Sequence, residues 1–183
     1  MFGPLYGQLI GTTVRVVGWN VWGLYGPWEA REAAIITALA EARADIVVLA
    51  ESWAKSEDKG LLSDVYASQD DRSPLIVCGD FNADPGSDEM RMMTGRAAAP
   101  VQGVSFYDAW EVAGPGGKGC TWSNSNPWAT QLLWPDRRID YIFTAAPRRG
   151  GAGHPRSAAL IGTTPVHRVY ASDHFGVQAD VRY

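Results

Sequence analysis

The sequence predicts an α/β fold organised as one domain, and three observations carry that expectation. First, Val14–Asn20, Trp28–Ala44 and Ile46–Ala50 read as an apolar run, a helical pattern and a second apolar run. A strand, a helix and a strand at this spacing form a βαβ unit, whose strands are parallel and whose exits share one edge of the sheet. Second, each early apolar run ends in a polar residue: Asn20, Glu51 and, after Leu75–Cys78 and Gly79, Asp80 and Asn82. Third, two late runs, Arg137–Phe143 and Phe175–Val181, carry acidic residues at their entrances: Asp140 in one case, Asp173 with His174 in the other. If these late strands run antiparallel to the early ones, all these polar groups meet at one rim.

Taken in order, residues 1–12 carry Gly and Pro without periodicity and read as a loose lead-in to the single domain spanning 1–183. Val14–Asn20 is β-branched and apolar, as a strand requires. Trp28–Ala44 places Ala33, Ile36, Leu39, Ala40 and Ala44 near helical spacing, with Glu29, Arg31, Glu32, Glu41 and Arg43 on the wet face. Ile46–Ala50 is almost wholly apolar and reads as a strand that ends at Glu51. Residues 54–74 are polar and poorly patterned, with a short helix at most around 61–67.

Leu75–Cys78 reads as a buried strand, and Asp84-Pro85-Gly86 forces a turn. Asp80 and Asn82, two residues apart, lie on the same side if the chain stays extended. A carboxylate and a carboxamide on a rigid strand end can orient a water and donate to a developing negative oxygen, which hydrolysis of a phosphate ester needs. Ser87, Asp88 and Glu89 mark a helix start, and Gly95 its end. Residues 97–103 form a loop, and Val104–Trp110 is too brief to assign to helix or strand. Cys120–Trp128 mixes amides with two tryptophans, a composition suited to gripping a substrate through Asn124, Asn126 and Trp128. Residues 144–157, with Arg148, Arg149 and His154, read as a basic loop.

Composition narrows the function. The 183 residues include 16 Lys and Arg against 20 Asp and Glu, a formal charge of −4. That leaves no broad cationic field of the kind a non-specific polyanion binder uses. Cys78 and Cys120 do not make a disulfide framework and are expected to be reduced. No apolar run is long enough to span a membrane, and Met1–Gly11 lacks signal-peptide character, so a cytoplasmic protein without a membrane partner is expected. The strand-exit oxygens of Asn20, Glu51 and Asp80 suit Mg²⁺ or Mn²⁺, and no Cys/His spacing suggests zinc.

Trp19-Asn20-Val21-Trp22, Ala50-Glu51-Ser52, Gly79-Asp80-Phe81-Asn82, Arg138-Ile139-Asp140-Tyr141 and Ser172-Asp173-His174 follow one another in an order that resembles the endonuclease/exonuclease/phosphatase superfamily. The resemblance implies a DNase I-like, four-layered α/β/β/α sandwich and Mg²⁺-assisted hydrolysis of a phosphate ester, foremost a phosphodiester, with nucleic acid among the substrates. It implies metal ligation by Glu51 with Asn20 and Asp173. Asp80 then positions or deprotonates water, Asn82 donates to phosphoryl oxygens, and His174 acts at the phosphate, oriented by Asp140. One departure stands out. Only 28 residues separate Glu51 from Asp80, and they contain no His. The family has several strands there, so one sheet is expected to be incomplete, with exposed edges that a second copy of the chain could cover. The rival expectation is a catalytically impaired remnant that serves as a binding or assembly module.

Overall fold

A computed structural model describes residues 12–51, 75–98, 105–145, 147 and 149–182. The expected lead-in up to residue 11, the stretch 54–74 with its short helix, and most of the 97–103 loop lie outside the described residues. Among the described residues, strands β1 (Thr13–Asn20), β2 (Ile46–Ala50), β6 (Pro155–Ile161) and β7 (Gly176–Arg182) form one sheet in the order β2-β1-β7-β6. Strands β3 (Ile76–Asp80), β4 (Phe106–Asp108) and β5 (Asp140–Ala145) form the other, in the order β3-β5-β4. β1 and β2 are parallel, as the βαβ reading requires, from Val16 opposite Ile46 to Asn20 opposite Ala50. β7 is antiparallel to β1, and β5 to β3. The early exits and late entrances therefore do share a rim.

Packing gives four layers. Helix α1 (Trp28–Ala42) covers the outer face of the first sheet, burying Ala34, Ile35 and Ala38 against Val17, Trp19 and Val21. Between the sheets, Val16, Val177, Ala179 and Val181 meet Ile142, joined by Ala109 and Trp110 of helix α3 (Ala109–Ala113). Outside the second sheet, Met90 of helix α2 (Asp88–Met93) packs on Tyr141 and Phe143. The Ser87 hydroxyl caps α2 by accepting from Met90 N, and Gly95 takes the left-handed turn beyond it (φ 72°), as expected. The ambiguous 104–110 stretch is both things in turn, β4 followed by α3, with Asp108 as the helix cap.

Several expectations need correction. α1 ends at Ala42, where Arg43 turns left-handed (φ 50°). Its buried face is turned about one residue from the expected one: Ile36 is 62% exposed, whereas Arg31, expected to be wet, is fully buried. Burial of that charge is tolerated because backbone carbonyls surround it. Among the described residues β2 is an edge strand, and its apolar run is open to solvent, with Ile46, Val47 and Val48 between 37% and 45% exposed. β3 is likewise an edge and only half-buried. β5 begins at Asp140 rather than Arg137. The basic 144–157 stretch runs into β6, whose small side chains and initial Pro155 carry little β signal; proline is accommodated at a strand start on a sheet edge. Both cysteines are free. No helix among the described residues is long and apolar enough to cross a membrane.

Candidate active site

The rim gathers groups from five strands. Asn20 closes β1, Glu51 follows β2, Asp80 closes β3 opposite Asp140 at the start of β5, and Asp173 and His174 precede β7. All but the buried Asp140 open into a cavity of 540 Å³ that Asn82, Trp22, Tyr25, Trp122, Leu132, Trp134 and Ile139 also line. The three early strands leave the sheets through the same kind of irregularity. Trp22 (φ 57°), Glu51 (φ 54°) and Asn82 (φ 53°) all take the left-handed conformation, a strain of the kind that collects at functional sites.

The imidazole is held from its Nδ1 side, and its backbone is tied as well. His174 Nδ1 and Asp140 Oδ2 are 2.8 Å apart, and with Asp140 only 1% exposed the carboxylate fixes the ring with its proton on Nδ1. Trp19 Nε1 donates to the His174 carbonyl (3.0 Å), His174 N donates to Ser172 Oγ (3.2 Å), and the Trp122 ring packs edge-on against the imidazole. Nε2 is left facing the cavity, 4.0 Å from Asp80 Oδ2. Burial alone would disfavour the imidazolium. The bond to Asp140 and the charges of Asp140, Asp173 and Asp80 outweigh it and push the His174 pKa up to about 9.

Asn20 binds the two early carboxylates together. Its Nδ2 donates to Glu51 Oε1 (3.0 Å) and Asp80 Oδ2 (3.1 Å), while its Oδ1 accepts from Trp22 N. Asn20 is thus a strut between the acidic groups. Asp80 Oδ1 accepts from Asn82 N (2.8 Å), which sets the turn and leaves the Asn82 side chain exposed over the cavity.

The donor set fits a hard divalent cation. Burial, and the nearby Glu51 charge, push the Asp173 pKa up against the pull of His174, so these carboxylates crowd one another in the absence of a counter-charge. One atom each from Asp80, Asp140 and His174 lies within 4.8 Å of the others. Asp140 Oδ2 holds the imidazole, and the carboxylates of Glu51, Asp80 and Asp173 line the cavity beside it.

The three residues of the 120–128 loop fall elsewhere. Asn126 is fully buried, and its Nδ2 donates to the Ser172 and Asp173 carbonyls, holding the segment that presents His174. Asn124 donates to the Trp134 carbonyl and to Asp136 Oδ1. Trp128 donates to the Tyr170 carbonyl and packs against Trp22. None of the three is among the residues lining the cavity.

The sequence reading missed Arg31. Its guanidinium donates to the carbonyls of Val21, Gly23, Tyr25 and Ala171, so one side chain joins the loop after β1 to the loop before β7. Burial lowers its pKa, opposed by the charge of Asp173. An Arg within an amphipathic pattern gives no sign of this.

The sequence profile of the Endonuclease/Exonuclease/phosphatase family matches residues 17–174, so the chain belongs to that family. Solved structures share its fold. TDP2 of D. rerio complexed with single strand DNA product is similar with a TM-score of 0.65 at 16% identity, over 94% of this chain and 100% of that one. An endonuclease/exonuclease/phosphatase from Bacteroides vulgatus gives 0.61 at 15%, over 93% and 98%. The human Nocturnin catalytic domain with bound sulfate gives 0.56 at 14%, over 92% and 94%. A search of curated proteins finds no match.

Proposed function

We propose that the chain is a Mg²⁺-dependent phosphodiesterase, with Mn²⁺ as an alternative cation. The observation that carries the reading is the Asp140–His174 pair, whose free Nε2 faces Asp80 across a cavity edged by Glu51, Asp173 and Asn82. A cation held by Glu51 and Asp173, with Asp80 beside them, would neutralise charge on the phosphate and act as a Lewis acid there. Asp80, steadied by Asn20 and by Asn82 N, is placed to orient the attacking water and accept its proton. The exposed Asn82 amide can donate to a phosphoryl oxygen as negative charge develops. His174, positioned by Asp140, stabilises the phosphate or donates to the leaving oxygen. Nucleic acid is a supported substrate class, since a neighbour in fold is described with a single strand DNA product. The reading extends to assembly: among the described residues β2 and β3 are sheet edges, and a second copy pairing there would cover Ile46 and Val47.

The test is hydrolysis of bis-p-nitrophenyl phosphate with Mg²⁺, Mn²⁺ or EDTA, by the wild type, Glu51→Ala and His174→Ala. Metal-dependent turnover lost in both variants is expected. A folded wild type without turnover on this and on an oligonucleotide would overturn the proposal in favour of a binding or assembly module.

A further inference from the structure

The Asn82 amide can serve a developing phosphoryl charge only if the backbone beneath it is held still. That backbone is an exposed left-handed turn (φ 53°) just past β3, an edge strand among the described residues. Asparagine tolerates the left-handed region better than most residues, yet such a turn persists only where its surroundings over-determine it. One bond comes from each side. Asn82 N donates to Asp80 Oδ1 at 2.8 Å, and the Asn82 carbonyl accepts from Arg137 Nη2 at 3.2 Å.

Arg137 reaches that turn from the opposite side of the rim. Its N–H donates to the Trp122 carbonyl (2.8 Å) and its carbonyl accepts from Trp122 N (2.9 Å). Trp122 also forms a β-bridge with His174, and its buried ring packs edge-on against the imidazole. The root of Arg137 is therefore fixed relative to His174. Its side chain crosses to the turn, where Nε donates to Asp84 Oδ2 at 2.9 Å and the guanidinium carbon stands 5.5 Å from the Trp134 ring centre. A planar fork with one N–H on Asp84 and another on the Asn82 carbonyl has a fixed direction that a point charge lacks. The Arg137 side chain is 18% exposed and that of Asp84 49%, and an ion pair so open to water adds little to stability. Its consequence lies instead in what it orients.

Resting on the phosphodiesterase reading, we propose that Arg137 is a positioning residue for hydrolysis: rooted on Trp122 and aligned by Asp84, it holds the Asn82 turn in register with His174, so that the amide and the imidazole address the same phosphate. The guanidinium acts through Asn82 and does not touch substrate. Asn82 lines the rim cavity, whereas Arg137 is not among the residues that do. The competing reading makes Arg137 a cation that grips the phosphodiester directly. It is disfavoured because Nε and Nη2 are both engaged, on Asp84 and on the Asn82 carbonyl.

The experiment places Arg137→Met and Asn82→Gly in a double-mutant cycle, with bis-p-nitrophenyl phosphate and Mg²⁺. Methionine keeps an apolar stem beside Trp134 and removes the fork, and glycine takes the left-handed turn freely while removing the amide. Arg137→Met should lower kcat about tenfold and leave KM within about twofold, because the Asn82 amide acts on charge that develops after the ester is bound. In the Asn82→Gly background the same substitution should change kcat no further. Arg137→Lys should recover only part of the loss, since one ammonium cannot reproduce the fork. In parallel, ¹⁵N relaxation needs no turnover: the order parameter of the Asn82 amide should fall from about 0.85 in the wild type to below about 0.6 in Arg137→Met, with that of His174 unchanged. An unchanged kcat, or an Asn82 order parameter that does not move, would overturn the proposal. A raised KM and an equal loss of kcat in both backgrounds would overturn it in favour of direct substrate binding by Arg137. A folded wild type that hydrolyses nothing would sink the phosphodiesterase reading instead, and the order parameters alone would then decide whether Arg137 holds the turn.

Discussion

The active-site rim is held from two sides that differ in kind. β1, β5 and β7 supply Asn20, Asp140 and His174, which are 3%, 1% and 6% exposed and locked by hydrogen bonds. β2 and β3 supply Glu51 and Asn82, which are exposed, left-handed in backbone, and carried on strands at sheet edges. A group that must keep one tautomer and one direction needs the first environment. Groups that exchange water for cation and substrate need the second.

Substitution should separate the two sides. The largest effect is expected at the closed side: His174→Ala should lower kcat about 10³-fold, and Asp140→Asn somewhat less, with the metal concentration for half-maximal activity unchanged. Glu51→Ala on the open side should raise that concentration, so an unchanged metal titration would break the comparison. Stability should divide in the same way. Trp19→Ala, which empties a fully buried site and removes the bond to the His174 carbonyl, should cost about 3–5 kcal/mol in chemical denaturation. Val47→Thr, at 43% exposure on β2, should stay within about 0.5 kcal/mol.

A smaller effect concerns pH. Asp180 on β7 is held below the usual carboxylate range, first by its hydrogen bonds from Arg15 on β1. Its folded pKa lies below the unfolded one, so its contribution is complete above the unfolded pKa of about 3.9 and is lost as pH falls through the folded value. Asp180→Asn should therefore lower the melting temperature modestly at neutral pH, and the gap to wild type should close under acid. A constant gap would assign the loss to packing. The least change in stability is expected for Val47→Lys on the β2 edge, which should nonetheless shift light-scattering mass from dimer to monomer. A wild-type monomer would remove the second copy from the account of this flank.

The same contrast governs what the sequence reveals. The strands that matter most were legible because apolar runs end abruptly in Asn20, Glu51 and Asp80, and the parallel pairing of β1 with β2 followed from the βαβ order. Where the reading failed, the deciding information lay in tertiary contacts. Ile46–Val48 has the composition of a central strand but sits at an edge, and neighbours, not composition, decide exposure. Arg31 looks like a solvated charge until the carbonyls of two distant loops are known. β6 hid because Pro155, Ser157 and Ala158 carry almost no strand propensity and acquire their pairing from β7. Asn126 read as a substrate amide and instead bonds backbone separated from it by more than forty residues.

The pairing of β1 with β7 joins Thr13 to Arg182 and Gly18 to Val177. On a ribosome that adds about 5–20 residues per second, the early strand waits for several seconds before its partner is made. Asn20, Glu51 and Asp80 all emerge in that interval, but Asp173, His174 and the strand that anchors them come last. A nascent or prematurely terminated chain therefore carries most of the rim's acidic groups and lacks His174. Hydrolytic competence is a property that such a topology withholds until translation of β7 is complete.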